Sequence, residues 1–519
     1  MFTQDTKKLL YIFFLAVFIR GVYLYLGGYV HVLPDASLFY EMARAIGSGT
    51  LNLFYAKWHS VTFPLYPLVL APLIKLGIGI QQIVWVNVIL SSLAVIPAYY
   101  LSKRIKDPVI SILFILIVVL NPTLNYTATV MSENLLIPIF LTTFYFMDRW
   151  YRDENIFHLK NLLLFEVFAV LTILTKITGL IFILVFAVLL LYKLYLGKIH
   201  HIPSRPKVRI WSALAVVIAL LIVGGLIYMY KYPTHLLPIT LDPLYFVNNL
   251  FYLIFGSFMI FWFVFLDRKG AFGLAGMSEH IPGIVLIVLV FLGVSLQGSH
   301  ARYLDPVLMV VFYIGMLRLS EMKKIEAGAG KKILNALKDR KFLVTISTIV
   351  LISLIVWWFH SYEDYFHFYI SNIVLTSLKM EYQAVFVAVS FILLYAFFIK
   401  RYYDILLILI LTINLFFGLM LFMASERMQE DTVCWKIVRL IDKDYSTSFV
   451  YFVSNKSVSY KCALLTANLL GPERINYDQP CDLSGVCIYA SNETGFWKEY
   501  YDPYEKESLY VLPPVGKLT

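Results

Sequence analysis

The hydrophobic positions of the chain form long, nearly uninterrupted runs that are separated by short polar stretches. A helix needs about 20 mostly apolar residues to cross a bilayer. At that length the sequence predicts about 13 membrane-spanning helices. Their approximate limits are 9–29, 81–101, 108–121, 134–147, 161–175, 179–195, 211–230, 246–266, 281–298, 303–319, 342–359, 383–399 and 404–423.

Composition supports the assignment to a polytopic membrane protein. The chain has 519 residues, of which 60% are hydrophobic and only 15% are charged. A soluble globular protein usually carries about 25% charged residues. The net charge of +10 does not indicate a nucleic-acid partner, because excess Lys and Arg in a membrane protein marks its cytoplasmic loops. The first run is too long for a signal peptide and lacks a small-residue cleavage site, so we expect a retained helix.

The distribution of basic residues predicts the orientation of these helices. With the N-terminus inside, the inner loops hold 25 Lys and Arg, and the outer loops before the C-terminal segment hold 7. The positive-inside rule therefore predicts a cytoplasmic N-terminus. An odd number of spans then places the C-terminus outside the cytoplasm. We expect a multi-pass protein of the cell membrane, or of the endoplasmic reticulum if the source is eukaryotic.

Two outer segments differ from ordinary loops. The first, residues 30–80, contains "DASLFYEMARAI" and "FPLYPLVLAPLIKLGIG", which predict helices lying along the membrane interface. The second begins near Ala424, where polar residues become common. Strand-like "SFVYFV", "GVCIYA" and "SLYVL" alternate there with helix-like "VCWKIVRLI" and "CALLTANLL". We therefore predict an all-α transmembrane domain at 1–423, which includes the first outer loop, and a small extracytoplasmic α/β domain at 424–519.

All the cysteines of the chain lie in the C-terminal segment. They are Cys434, Cys462, Cys481 and Cys487. An even number of cysteines in an external domain predicts one or two disulfides, and three connectivities exist if all four pair. A zinc site is the weaker interpretation, because the spacing contains no C-x2-C pair. The glycosylation triplets at Asn455 and Asn492 also fit an external location.

Two carboxylates on the predicted outer face are candidates for catalysis. Asp35 follows the first helix closely, and Glu133 lies in a short turn, "MSEN", between two spans. Ionisable residues near the bilayer are often functional. Each has a simpler interpretation: Asp35 as the N-cap of the "ASLFYEMARAI" helix, and Glu133 as an ordinary helix start. Convergence of two outer carboxylates in one pocket would suit general-base and orienting roles.

Basic residues on the same predicted face are candidates for binding an anion. Lys176 interrupts an apolar stretch in "LTILTKITGLIF", and "GSHARYLDP" brings His300, Arg302 and Tyr303 together. Arg can hold a phosphate with a two-pronged fork of hydrogen bonds. The alternatives are snorkelling of the Lys176 stem to the interface and a simple loop anchor. Arg20, near the outer half of the first helix, is more ambiguous.

Several enzyme classes lack their motifs in this sequence. We find no phosphate-binding glycine loop, no Ser–His–Asp signal and no HExxH motif. The predicted inner face also lacks a nucleotide site. These observations argue against an ATP-driven enzyme and against one that uses nucleotide sugars.

A series of short motifs resembles a known superfamily over roughly residues 9–320. A first helix with an Arg, then "PDASLFYEMARAIGSG" and "FPLYPLVLAPLIKLG", resembles the GT-C superfamily of polyprenyl-phosphate-sugar-dependent glycosyltransferases. The closest likeness is to the protein O-mannosyltransferase and aminoarabinose transferase group. "MSENLLIPIF", "TKITGL" and "HARYLDPVL" match later features in order. One departure is Ala36, which stands where many members have a second acid. A metal-binding acidic pair is therefore in doubt, and we assign no metal ligand, although a divalent cation stays open as a cofactor.

The resemblance implies transfer of a glycosyl residue from a polyprenyl or dolichyl phosphate, with inversion, to an acceptor on the outer face. Mannose is the commonest donor sugar of the family, and the acceptor is a protein, a lipid or a lipid-linked glycan. Asp35 would be the catalytic base and Glu133 would position it or the acceptor, while Lys176 and Arg302, with Tyr303 and His300, would serve the donor phosphate. A multi-span transporter or lipid flippase is the main rival hypothesis, and a non-enzymatic membrane scaffold is another.

Overall fold

The computed structural model describes most of the first 200 residues, two later helices and five strands near the C-terminus. The described residues are 3–27, 34–49, 65–120, 127, 129–153, 159–195, 246, 249–250, 253, 264, 280–296, 304–323, 437, 440–441, 450–452, 475–477, 486–489, 498–502 and 507–512.

The described part of the chain up to residue 323 is helical. Its α-helices are α1 Gln4–Gly27, α2 Pro34–Ser48, α3 Leu65–Lys75, α4 Ile80–Ser92, α5 Val95–Ser102, α6 Pro108–Leu120, α7 Glu133–Arg152, α8 Leu159–Thr175, α9 Ile181–Tyr195, α10 Ile281–Leu296 and α11 Asp305–Lys323, with a 3-10 helix at Ile177–Leu180 between α8 and α9.

These helices confirm the helical character of eight predicted spans. Described helices cover most of the apolar runs at 9–29, 81–101, 108–121, 134–147, 161–175, 179–195, 281–298 and 303–319. The runs at 211–230, 342–359, 383–399 and 404–423 lie outside the described residues, as does most of 246–266. Among the described helices, the stretches Gln4–Tyr25 and Gln82–Ser102 are long and apolar enough to cross a membrane. The total of 13 spans stays a prediction.

The predicted span at 81–101 is not one regular helix. Helix α4 ends at Ser92, and α5 begins at Val95. Backbone bonds between residues three apart, such as Ile96 N to Leu93 O at 3.0 Å, replace the usual pattern at the junction. Pro97 accounts for this local tightening, because its ring lacks an N–H and crowds the carbonyl group four residues earlier.

Helix α7 occupies the centre of the helical region and packs against α4, α5, α8 and α11. Phe140, Phe144 and Trp150 are completely buried along it. The Thr143 and Thr172 hydroxyls share a hydrogen bond of 2.9 Å that joins α7 to α8. Buried hydroxyls gain stability only when they are paired, so this contact fixes the two helices in register. The two ends of α7 carry the charged clusters described below.

The two predicted interfacial segments both form helices, α2 and α3, and these pack closely together. A Cβ added at Gly47 of α2 would lie 2.8 Å from the carbonyl oxygen of Ala71 in α3, so glycine permits this approach. Phe39 and Tyr66 meet edge to face, with ring centroids 5.6 Å apart. Helix α2 begins at Pro34, so Asp35 is its second residue rather than the N-cap that the sequence predicts. Proline is favoured at the first helical position because its fixed φ suits the helix and it needs no hydrogen-bond acceptor.

Five strands near the C-terminus form one mixed sheet. They are β1 Val450–Phe452, β2 Ile475–Tyr477, β3 Val486–Tyr489, β4 Lys498–Asp502 and β5 Glu507–Leu512, in the order β2-β1-β3-β5-β4. Strand β1 pairs in parallel with β2 and β3, whereas β5 pairs antiparallel with β3 and β4.

The sheet confirms the three predicted strands at 448–453, 485–490 and 508–512. The sequence did not predict β2, which is only three residues long, or β4, "KEYYD", whose charges suit an edge position. Residues 437, 440 and 441 of the predicted helix "VCWKIVRLI" are helical, whereas "CALLTANLL" lies outside the described residues. The domain limits 1–423 and 424–519 stay predictions.

Candidate active site

Glu133 begins α7 at a turn that is built by short-range hydrogen bonds. The Asn134 side-chain amide donates to the carbonyl oxygens of Thr129 at 3.0 Å and Met131 at 3.1 Å. These bonds hold the preceding turn against the first residues of the helix. The Ser132 hydroxyl donates to Glu133 Oε2 at 3.2 Å. Glu133 is 1% exposed, so its carboxylate is held inside the protein rather than in a solvated loop.

Lys176 lies where α8 ends and the chain turns back. Its backbone is extended, with φ −161° and ψ 143°, and this interrupts the helix between α8 and the 3-10 turn. The turn is closed by a bond of 2.9 Å from Gly179 N to the Lys176 carbonyl oxygen. A Cβ added at Gly179 would lie 2.5 Å from the backbone nitrogen of Ile173. Only glycine allows the turn to fold so closely onto α8, and this fold positions Lys176.

These two elements bring Glu133 and Lys176 together in a buried ion pair. The Lys176 ammonium donates to Glu133 Oε1. The Lys176 side chain is 13% exposed and that of Glu133 is 1% exposed. The structure therefore joins two residues that the sequence singled out separately, in two turns 43 residues apart in the chain. The contact is a charge-assisted hydrogen bond with little access to solvent.

A chain of buried hydrogen bonds connects the turn that carries Glu133 to α3, and through α3 to α2. The Tyr66 hydroxyl of α3 donates to Asn87 Oδ1 at 2.8 Å. The Asn87 amide of α4 donates to the Thr129 carbonyl oxygen at 2.9 Å, which also accepts from Asn134. Since Tyr66 also contacts Phe39 of α2, the helix that carries Asp35 is coupled to the turn that carries Glu133. The side chain of Asp35 itself lies outside the described part of the structure.

A small polar cavity lies beside the ion pair. Its volume is about 10 Å³, room for about one water molecule, and Arg20, Ser91, Glu133 and Asn134 contribute polar groups to its lining. Arg20 is 1% exposed, and its Nη2 donates to the Val118 carbonyl oxygen of α6 at 3.1 Å. The candidate site therefore contains Arg20 as well as Glu133 and Lys176. The sequence showed Arg20 only as an isolated charge in the first helix.

Other predicted site residues are not placed. His300, Arg302 and Tyr303 lie outside the described residues, so their assignment to the donor phosphate stays a prediction. The same holds for Cys434, Cys462 and Cys481, although Cys487 lies on β3. Within the described ranges, no three His, Cys, Asp or Glu side chains are grouped so that they could hold a metal ion. A divalent cation as cofactor stays a prediction from the sequence.

Three residues of the site that the sequence analysis did not identify are uncharged. Tyr66, Asn87 and Asn134 join the elements around Glu133. Asn87 had a detectable signal, since it is the one strongly polar residue within the apolar run "IVWVNVILSSLAV". A buried amide in such a run requires partners.

A second charged cluster lies at the opposite end of α7. Asp148 is 1% exposed, and Arg104 Nη1 approaches its Oδ2 at 3.0 Å. Arg152 also pairs with Asp148, and Arg104 donates to the Tyr313 hydroxyl at 2.7 Å. At about 1.5 Å of rise per residue, Asp148 lies about 22 Å along the axis from Glu133. The two clusters are therefore separated by most of the thickness of a bilayer core, about 30 Å.

Comparison with known proteins gives a match at the level of structure. No protein-family model matches the sequence, and no curated protein is significantly similar to it. Among solved structures, the crystal structure of ArnT from Cupriavidus metallidurans in the apo state matches with a TM-score of 0.52 and 14% identity. The chain has the fold of ArnT. The match covers 96% of this chain and 97% of ArnT, so it extends over almost the whole length of both.

A second crystal structure of ArnT from the same organism, bound to undecaprenyl phosphate, matches with a TM-score of 0.50. The identity is again 14%, and the coverage is 96% of this chain and 97% of the other. At this low identity the likeness concerns the fold alone, and the chemistry has to be argued from the site.

Proposed function

We propose that this protein is a membrane glycosyltransferase of the GT-C superfamily that takes its sugar from a polyprenyl phosphate. The observation that carries the proposal is the ArnT fold, which extends over nearly the whole chain. One of the matching ArnT structures holds undecaprenyl phosphate, which is a lipid carrier of this class. The order of short motifs along residues 9–320 supports the same family independently.

The Glu133–Lys176 pair fits the chemistry of such an enzyme. The donor phosphate must lie at the membrane interface, because its polyprenyl tail occupies the bilayer. Lys176 is the partly exposed member of the pair, so its ammonium is the one that can reach an anion from the surface. Positively charged groups that stabilise a developing negative charge typically contribute several kcal/mol to lowering a barrier.

In the proposed reaction the acceptor hydroxyl oxygen forms a bond to the anomeric carbon while the bond from that carbon to the phosphate oxygen breaks. The bonding electron pair leaves with the phosphate, which Lys176 and Arg302 stabilise together with Tyr303 and His300. Asp35 takes the proton of the hydroxyl, and Glu133 positions Asp35 or the acceptor. Attack from the face opposite the phosphate inverts the anomeric configuration. The sugar and the acceptor stay open, and mannose is only the expectation from the family.

Substitution of Asp35 tests the proposed base. Asp35→Asn keeps the shape of the side chain but removes its ability to accept a proton. Loss of a general base typically lowers the rate by about 10²–10⁴-fold. Glu41 lies six positions further along α2 and is not assigned to the site, so Glu41→Gln is the matched control. Transfer is measured with a panel of polyprenyl-phosphate sugars at matched expression and thermal stability.

The outcomes separate the candidate functions. A selective loss of turnover in Asp35→Asn supports the proposed mechanism. Equal activity of the two variants removes Asp35 from the mechanism. Absence of transfer by the wild type from every donor of the panel, combined with movement of a lipid phosphate across proteoliposomes, would favour a flippase.

A further inference from the structure

Only one of the three guanidinium nitrogens of Arg20 has a hydrogen-bond partner among the described residues. Its Nη2 donates to the carbonyl oxygen of Val118, which belongs to the last turn of α6. The last four carbonyl groups of a helix lack partners within that helix, so this bond caps α6. The Nε and Nη1 atoms of Arg20 are also completely buried, and they have no hydrogen-bond partner among the described residues. Capping α6 alone does not require these two further donors.

The remaining part of Arg20 lines the same cavity as Glu133. Together with Lys176, this makes a cluster of two cations and one carboxylate. Arg20 and Glu133 are each 1% exposed, whereas the Lys176 side chain is 13% exposed. Lys176 is therefore the member that can move towards the surface, and Arg20 is the cation that stays inside.

The chemistry proposed for Lys176 creates an electrostatic difficulty at Glu133. When the ammonium turns to a phosphate, it leaves a carboxylate behind in a nearly dry environment. Removal of one partner from a buried ion pair is strongly unfavourable, because the remaining charge has neither water nor a counter-charge. A second cation beside the carboxylate lowers that cost, since charges interact strongly where the effective dielectric constant is low.

We propose that Arg20 is a positioning residue that neutralises Glu133 across the cavity and so frees Lys176 to bind the donor phosphate. This inference rests on the proposed function, in which Lys176 meets that phosphate. Arg20 itself does not touch the substrate. Its position on α1 is fixed by the Val118 contact, which keeps the guanidinium beside the cavity while Lys176 exchanges partners.

Equilibrium binding of a short-chain polyprenyl phosphate without sugar tests the proposal on the purified full-length protein. Arg20→Gln is expected to weaken binding by about tenfold or more, since Lys176 is then held by Glu133. In a Glu133→Gln background Lys176 is no longer held, so the same Arg20 substitution is expected to change the affinity less than twofold. Equal losses in the two backgrounds would overturn the inference.

Arg20→Lys separates a role of charge from a role in capping α6. This variant keeps the charge but loses the fork that reaches Val118, so its melting temperature falls whichever role holds. Under the proposal it binds the lipid phosphate within about threefold of the wild type, measured below the melting temperatures of all variants. If its affinity falls as far as that of Arg20→Gln, the charge is not the determinant and the inference is wrong. Absence of saturable binding by the wild type would instead overturn the proposed function itself.

Discussion

The Glu133–Lys176 pair leads to a quantitative prediction about stability. Lys176→Met keeps the length of the side chain but removes the ammonium, so it leaves a carboxylate that is 1% exposed without its ion-pair partner. Breaking a buried pair in this way typically costs about 3–5 kcal/mol. Lys176 is 13% exposed and Arg20 shares the cavity, so we expect a cost near the lower limit of that range. Glu133→Gln is expected to be less harmful, because the ammonium retains some access to water.

The double variant Glu133→Gln/Lys176→Met decides whether the pair is coupled. It leaves no buried charge at this position, and replacement of both partners of a buried pair is often close to neutral. We therefore expect the double variant to be more stable than Lys176→Met alone, with a coupling free energy of about 2 kcal/mol or more in a double-mutant cycle. Reversible unfolding in mixed micelles with increasing SDS measures each free energy.

The Asp5–Lys103 pair supplies a control within the same chain. Its N–O distance is 2.7 Å, but its side chains are 62% and 41% exposed. Exposed pairs contribute little, so Asp5→Asn and Lys103→Met are expected to be additive and nearly neutral. If the Glu133–Lys176 cycle is also additive, the contact does not exist as a buried pair. The argument from burial would then fail for both the stability and the exchange of Lys176.

Three further predictions concern other parts of the molecule. Gly179→Ala is expected to lower stability and abolish transfer, because the new Cβ would lie 2.5 Å from the Ile173 nitrogen. Gly293→Ala is the matched control: an added Cβ there has one neighbour, at 4.0 Å, so this variant is expected to be tolerated. Burial lowers the pKa of His280, so the unfolded chain binds its proton more readily; stability is expected to fall as the pH drops below about 6.5, and His280→Gln is expected to reduce that fall in unfolding titrations. At least one disulfide outside the cytoplasm predicts that reduction increases the labelling of the C-terminal cysteines by an impermeant thiol reagent on intact cells. Labelling of these thiols only after permeabilisation would contradict the predicted topology.

The sequence predicted helix positions well because the signal for a membrane helix is contained in one continuous stretch. A continuous apolar run favours a helix, because a helix pairs its backbone groups within that one stretch. Helices α6, α8 and α9 accordingly follow their predicted limits within a few residues. The break between α4 and α5 was missed because Pro97 disturbs the backbone without changing the hydrophobicity of the run.

Pairing between distant residues was not predictable in the same way. Glu133 and Lys176 were both identified as candidates, but Glu133 was assigned to positioning Asp35 or the acceptor and Lys176 to binding the phosphate. Their contact depends on the extended backbone at Lys176 and on the tight turn that Gly179 permits. Neither feature has a periodic signal in the sequence. Arg20 was noticed only as an isolated charge, because its neighbours in the cavity come from other helices.

The two ends of α7 show how the same types of charge can serve different purposes. At one end, Asp148 is held by both Arg104 and Arg152, and Tyr313 also binds Arg104. Every group in that cluster has a direct partner, so movement of any of them would break a buried contact, which suits a fixed joint between helices. At the other end, the Glu133 carboxylate pairs with the partly exposed Lys176 and lines a cavity that Arg20 also lines. That arrangement allows one cation to leave while the other remains. The exchange of Lys176 that we propose needs this second kind of site, and among the two ends of α7 the Glu133 end provides it.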